Sequence, residues 1–325
     1  MQTARTVLVT GGNTGLGEQT ALHLARLGWV VVLACRSVTT GEAAAERLRA
    51  QVPGAKVSVW ELDLGDLNSV RRLAAQWWAA QWPEHALPPL QAVVANAGIQ
   101  HPSPHVRTVQ GFEATFGVNH LGHLLLLDLL LPHLAEPARV VFVGSGTHDP
   151  RQGGGYPPPY DSSARALAFP DQFVQAPEPD WQAGMRRYAS SKLANAQTAF
   201  HLARLSQAQG RRVTVNVFDP GLMPGTGLTR GYGGAVQWLW RRVLPLLASL
   251  RPEFASTPAR SGAHLARLVN DAPYEGVTGE YFVQGGRQAG PQVGQASDLA
   301  RDAAKARLLW EESLALVGQR PLTPA

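Results

Sequence analysis

Cysteine is almost missing from this 325-residue chain. Cys35 stands alone, which excludes an internal disulfide and any multi-cysteine metal site. Charge is sparse too, at 16% of residues, and no run of five or six basic residues occurs. The net charge of +5 therefore admits an anionic ligand without pointing to nucleic acid. Long apolar runs are also lacking. The longest, Leu124 to Leu131, is broken by Asp128 and stopped by Pro132, too short to cross a bilayer. Met1 to Arg5 is short and polar with no visible signal peptide, and a lone thiol suits a reducing compartment, so the expected location is cytoplasmic. Internal repeats and linkers are missing, which leaves one domain over residues 1–325. Its 45% hydrophobic content is enough for a sizeable core.

What is present reads as alternating strands and helices. Thr6 to Thr10 is a continuous apolar run suited to a buried parallel strand, followed at once by Gly11-Gly12-Asn13-Thr14-Gly15-Leu16-Gly17 and a helical pattern from Glu18 to Leu27. Glycines there permit a tight turn and close approach of backbone to a pyrophosphate, whose charge the helix N-terminus then meets. Alone, such a turn is a weak signal; directly after a first strand it is a stronger one. Trp29 to Ala34 is the second strand and ends in Cys35-Arg36-Ser37. An NAD site usually carries a carboxylate at that point, whereas arginine suits a 2′-phosphate, so NADPH is the expected cofactor. Further strands are expected over Lys56 to Leu62, Leu90 to Ala95, Arg139 to Val143, Arg212 to Phe218 and Gly279 to Val283, with helices between them. The pattern predicts a Rossmann-type α/β fold, a doubly wound parallel sheet flanked by helices.

At the carboxyl ends of these strands stand polar or small residues. Asp63-Leu64 follows the third; its carboxylate suits either an adenine amino group or the cap of the next helix, Leu67 to Trp78. Trp77, Trp78 and Trp82 are expected to pack. Asn96-Ala97-Gly98 ends the fourth strand and lets backbone run close to a cofactor. Gly111 to Pro132 reads as a long buried helix, where Asn119 is costly unless its amide is satisfied. His120 and His123 in that helix have no third ligand at suitable spacing, so no metal is expected. Ser145, in Gly144-Ser145-Gly146-Thr147, falls on the ligand-binding edge but lacks the nucleophile-elbow pattern of hydrolases. Tyr188 and Lys192 are four apart, on one face of a helix expected over Tyr188 to Leu205. An ammonium beside a phenol favours the phenolate and brings acid–base work within reach of neutral pH. Two segments suit a substrate wall or lid: the Pro/Gly-rich stretch 149–187, and 222–260 with Tyr232, Trp238 and Trp240. An amphipathic membrane-surface helix is the competing reading of the latter; Pro245 and the two adjacent arginines count against it.

In this order, Thr10-Gly11 through Gly15 and Gly17, Asp63, Asn96-Ala97-Gly98, Asn119, Ser145, Tyr188 with Lys192, and Asp219-Pro220-Gly221 resemble the short-chain dehydrogenase/reductase family over residues 6–283. Val118 to His123 and Ala34-Cys35-Arg36 are similar to its branch of retinol dehydrogenases and protochlorophyllide reductases. The resemblance implies a catalytic set of Asn119, Ser145, Tyr188 and Lys192. In it Tyr188 exchanges a proton with the carbonyl oxygen, Lys192 lowers the tyrosine pKa and binds the nicotinamide ribose, Ser145 orients the carbonyl and Asn119 supports a relay. Thr226 would hold the carboxamide, beside Pro220 and Gly221, and Arg36 the 2′-phosphate. The implied activity is NADPH-dependent hydride transfer to or from a bulky hydrophobic carbonyl or alcohol, with association of copies through helices. Tyr188 follows Ser145 by 43 positions, a long separation that looks like the protochlorophyllide reductases, which implies reduction of a tetrapyrrole double bond as the alternative. Those photoenzymes carry cysteine after the Pro-Gly pair, where this chain has Leu222. A non-catalytic nucleotide sensor on the same fold is a third reading, disfavoured by the presence of all four residues.

Overall fold

The computed structural model describes residues 4–79, 87–103, 105–152, 155–173, 178–223, 234, 255–286 and 288–319. Eight strands form one sheet: β1 (Thr6–Thr10), β2 (Val30–Cys35), β3 (Val57–Glu61), β4 (Leu90–Ala95), β5 (Ala138–Val143), β6 (Val213–Asp219), β7 (Tyr281–Val283) and β8 (Gln292–Val293). Their order is β3-β2-β1-β4-β5-β6-β7-β8, and every neighbouring pair is parallel except β7 with β8. The doubly wound expectation is met; the antiparallel edge strand β8 lies beyond what the sequence pattern indicated. Strand order reverses between β1 and β4, which opens a crevice at the carboxyl ends of those strands.

Both sheet faces are covered, which is why the central strands are apolar throughout rather than alternating. Leu8 of β1 packs with α3 (Leu67–Ala79), α4 (Ala114–His133) and α6 (Asp180–Ala208). Its neighbours Val7 and Val9 pack on the opposite face with α1 (Gly15–Arg26), α2 (Val38–Gln51) and α7 (Pro258–Asn270). A short α5 (Ala164–Ala168) lies within the insertion, and the expected last helix is split at Asp302 into α8 (Asp298–Arg301) and α9 (Ala303–Leu316). Asp302 accepts from the backbone N–H groups of Ala304 and Lys305, so it caps a new helix instead of continuing the old one. Trp77 is 1% exposed and packs as expected; Trp78 is 49% exposed, and Trp82 lies outside the described residues.

Two helices differ from expectation in ways that matter at the site. α6 starts at Asp180, two turns before Tyr188, so the insertion ends earlier than residue 187. Gly184 interrupts the apolar pattern there for a packing reason: a Cβ would sit 2.5 Å from the His101 carbonyl oxygen. α4 is long and apolar enough to cross a membrane, yet it is a core helix, with most of its apolar window buried. Its turn Gly117–Leu121 is a π segment, widened so that the Gly122 N–H reaches the Gly117 carbonyl.

Candidate active site

A cavity of about 1780 Å³ runs along the carboxyl edge of the sheet. The turn Gly11 to Leu16 enters it from β1, Arg36 from β2, Asp63 and Leu64 from β3, and Asn96-Ala97-Gly98 from β4. Ser145 follows β5, Asp219-Pro220-Gly221 ends β6, and Tyr188 and Lys192 face the cavity from α6. Of the residues expected at the site, Asn119 lies just behind this wall, fully buried, and Thr226 falls outside the described residues, as does most of the 222–260 segment.

The glycine turn is built for close backbone approach. Gly15 has φ +58°, the left-handed region, and a Cβ on Gly17 would lie 2.5 Å from the Gly11 carbonyl oxygen and 2.6 Å from Asn96 Nδ2. α1 begins at Gly15, one turn earlier than its apolar pattern suggested, so its unpaired N–H groups open directly into the cavity. Thr10 anchors the turn: its hydroxyl accepts from the N–H groups of Asn96 and Ala97 at 2.9 and 3.0 Å. Asn96 Nδ2 in turn donates to the Thr10 carbonyl at 2.8 Å. These features fit a dinucleotide, with a pyrophosphate against the turn. At the end of β2, the exposed Arg36 is joined on the cavity wall by Ser37, Thr40 and Arg47, which sequence reasoning missed. Arg47 is held by Glu18 at 2.7 Å, and Thr40 accepts from Asn13 Nδ2 at 2.9 Å. Their signal lies only in the helix period that turns 37, 40 and 47 toward the strand end.

Asp63 resolves in favour of the cavity. Its Oδ1 accepts from the Gly65 N–H at 2.8 Å, while the Leu67 N–H that opens α3 goes to Gln110 Oε1 at 3.1 Å. It therefore does not cap α3.

Asn119 is satisfied by backbone, as its burial demands. Its Oδ1 accepts from the Ile99 N–H at 2.8 Å, and its Nδ2 donates to the Ile99 carbonyl at 2.9 Å and to Ser191 Oγ at 3.0 Å. The π segment thus clamps the chain segment following Gly98. His123 completes the clamp, with Nδ1 2.9 Å from the Asn119 carbonyl and Nε2 2.8 Å from the Thr10 hydroxyl. A carbonyl against Nδ1 requires the proton there, leaving Nε2 to accept from Thr10. Burial keeps this ring neutral by lowering its pKa to about 4. His120 instead turns to Ser313 Oγ at 3.0 Å. Among the described residues no three His, Cys, Asp or Glu side chains cluster as metal ligands.

Ser145, Tyr188 and Lys192 converge on one wall. Lys192, 4% exposed, donates to the Val143 carbonyl at 2.8 Å, with its Nζ 5.6 Å from the Tyr188 ring centroid. Its pKa is lowered to about 8 by burial, an effect the charge of Asp219 opposes. The Tyr188 phenol is held above its ordinary value by burial first, then by Tyr156 and Asp219; the Ser145 hydroxyl acts the other way. Desolvation of the buried phenolate is the largest of these causes. Ser145 is positioned from below: His148 Nδ1 donates to its carbonyl at 2.7 Å, and His148 Nε2 accepts from the Ser297 N–H at 3.1 Å.

The insertion contributes a wall, not a remote loop. Tyr156 packs 5.9 Å from the Tyr188 ring and donates to Gln100 Oε1 at 2.8 Å, and Arg151 and Gln152 also line the cavity. A phenol, a hydroxyl and an ammonium on one wall can protonate and orient a carbonyl; a glycine cradle and an arginine on the other can hold a phosphorylated nucleotide.

Comparison with known proteins decides the family. A profile of the short chain dehydrogenases matches residues 5–168. Human retinol dehydrogenase 13 is 36% identical over 97% of this chain and 85% of its own, and mouse retinol dehydrogenase 12 is 35% identical over 97% and 86%. The chain belongs to the short-chain dehydrogenase family. Membership makes it an oxidoreductase, and these relatives place it in the retinol dehydrogenase branch. A crystal structure of an uncharacterised protein from Mycobacterium paratuberculosis superposes with TM-score 0.68 at 30% identity, covering 99% of this chain and 98% of that one. A short-chain dehydrogenase from Escherichia coli CFT073 complexed with NADPH shares the fold, with TM-score 0.60 at 23% identity over 86% of this chain and 96% of that one.

Proposed function

We propose that this protein is an NADP(H)-dependent oxidoreductase that interconverts a carbonyl and an alcohol on a bulky hydrophobic substrate. The observation that carries the reading is the convergence of Ser145, Tyr188 and Lys192 with the glycine turn and Arg36 on one cavity. The nicotinamide cofactor supplies the hydride. Gly11 to Leu16 and the N-terminus of α1 receive its pyrophosphate, and Arg36 its 2′-phosphate, because no carboxylate stands at the end of β2 to prefer a 2′-hydroxyl. Asp63, Leu64 and Asn96-Ala97-Gly98 would flank the nucleotide, and Lys192 would hold the ribose. Pro220 and Gly221, which line the cavity, would hold the nicotinamide end, and Thr226 would hold its carboxamide.

Tyr188 donates its proton to the carbonyl oxygen during reduction and recovers it during oxidation. Ser145 donates a hydrogen bond to the same oxygen and so polarises the carbonyl. Asn119 acts through the backbone clamp it makes with Ile99, which keeps the chain after Gly98 against the cofactor edge. Apolar residues Ile99, Val118, Leu222, Met223 and Val283 line the cavity and favour a hydrophobic substrate. Retinol dehydrogenases among the relatives support the same class. The catalytic residues need no partner chain, nucleic acid or metal ligand; a cytoplasmic location and self-association belong to the same reading.

The test is a fluorescence titration with NADPH and NADH beside steady-state reduction of a long-chain aldehyde. Tight NADPH binding and NADPH-driven turnover support the proposal. Binding of neither cofactor removes it, and turnover of a conjugated tetrapyrrole but no aldehyde moves it to carbon–carbon double-bond reduction.

A further inference from the structure

We propose that Asp219 is a positioning residue that keeps the Tyr188–Lys192 pair in its fully protonated form, the form that donates a proton to a carbonyl. The inference rests on the reductase reading above and assigns a role to a residue that reading leaves unused.

Asp219 ends β6 on the cavity wall and is 9% exposed. Its carboxylate is fixed at both oxygens: Oδ1 accepts from the Gly221 N–H at 2.9 Å and Oδ2 from the Tyr281 O–H at 3.1 Å. The registers of β5 and β6 bring it to the catalytic groups. Val143, whose carbonyl receives Lys192 Nζ, pairs with Phe218, the residue before Asp219. On the next loop, a Cβ on Gly146 would lie 3.2 Å from Asp219 Oδ2, so the segment carrying Ser145 packs on the carboxylate.

The surrounding charges leave Asp219 the carboxylate that acts on the pair. From the loop after β5 come Tyr156, His148 and Asp149. His148 is held neutral between a carbonyl and an N–H, and Asp149 is paired with Arg151 at 3.0 Å. Tyr281 faces it from β7, and Tyr188 and Lys192 from α6. Asp219 shares the cavity wall with both Tyr188 and Lys192 and acts on both, whereas Asp149 does not line the cavity and acts, together with Asp219, on Tyr281 and His148.

The direction of the effect does not depend on which group loses its proton first. Either loss removes one positive charge from the pair, and a fixed negative charge beside it opposes that loss. Asp219 thereby offsets the burial of Lys192, keeps the ammonium charged and keeps Tyr188 a phenol. The site is biased toward proton donation, hence toward reduction.

Asp219→Asn removes the charge with little change in volume. In the full-length protein, the fall of kcat/KM for NADPH-driven aldehyde reduction with rising pH should move to lower pH by about one unit. Lys192 can be followed without turnover, because the chain has three lysines and the other two, Lys56 and Lys305, are exposed. In ¹³C-lysine NMR its titration should also move down by about one unit in Asp219→Asn, while Asp219→Glu, which keeps the charge, follows the wild type. Should Asp219→Asn fail to fold, Asp219→Ser tests the same charge. A loss of activity with the Lys192 titration unchanged would assign Asp219 a structural role only and overturn the proposal, as would a shift to higher pH. If the wild type reduces no aldehyde, the reductase reading fails by itself, and the NMR titration still decides whether Asp219 controls the Lys192 proton.

Discussion

The two halves of the cavity are made in different ways. On the nucleotide side, the turn after β1 works through backbone: glycines that cannot carry a Cβ, and N–H groups at the start of α1. On the other side, Tyr188 and Lys192 work through buried side chains whose proton affinities depend on residues far away in sequence. One half is a shape, the other an electrostatic balance. Changes on the first side should act on binding and changes on the second on chemistry, with little crossover.

The largest effect that sharpens this contrast is Tyr188→Phe. Loss of the proton donor should lower reductase kcat/KM by about 10²–10⁴-fold while the NADPH dissociation constant, read by fluorescence titration, stays near wild type. Equal loss of both would break the division. Gly17→Ala should do the reverse. Its Cβ would press on the Gly11 carbonyl, so NADPH affinity should drop by on the order of tenfold or more, with a stability loss of about 1–3 kcal/mol in urea unfolding.

Arg36→Ala is expected to weaken NADPH by about ten- to a hundredfold, the value of a charge-assisted phosphate contact, and to leave NADH unchanged. An equal loss for both cofactors would assign the 2′-phosphate elsewhere, with Arg47 the next candidate.

An effect outside this division concerns stability and pH. His120 and His123 are buried neutral, with pKa values lowered to about 3 and about 4. Because the folded values lie below the unfolded value near 6.5, the unfolded chain binds protons first as pH falls. The stability these rings contribute is complete above about pH 6.5 and is lost as pH falls from there to about 4 for His123 and about 3 for His120, by up to about 1.4 kcal/mol per pH unit for each ring. Thermal unfolding at pH 7.5 and 5.0 checks the sign. In His123→Gln, which keeps a polar side chain at the clamp, the slope should flatten.

Much of the nucleotide side was legible in the sequence because its determinants are local. A strand, a glycine turn and a helix lie within some twenty residues, and Arg36 follows its strand directly. The edges of elements were less legible. α6 begins at Asp180 rather than Tyr188 because Gly184 serves a contact with His101, a residue 83 positions away whose proximity no periodicity reveals. Asp63 could not be assigned from sequence between cap and cavity, since the competing partner, Gln110, comes from another segment. Tyr156 was hidden inside a Pro/Gly-rich stretch with no regular period.

The sequence by itself determined the parallel part of the sheet, the glycine cradle and the candidates for acid–base work, because residue type and short-range spacing carry that information. Tertiary structure alone decided the state of those residues. Tyr188 is pushed toward the phenol and Lys192 down to about 8, because burial of a charge depends on everything packed around it. It also decided that Asp219 stands beside them, since the register of β5 with β6 brings residues 145 and 219 to one edge of the sheet, where α6 presents Lys192.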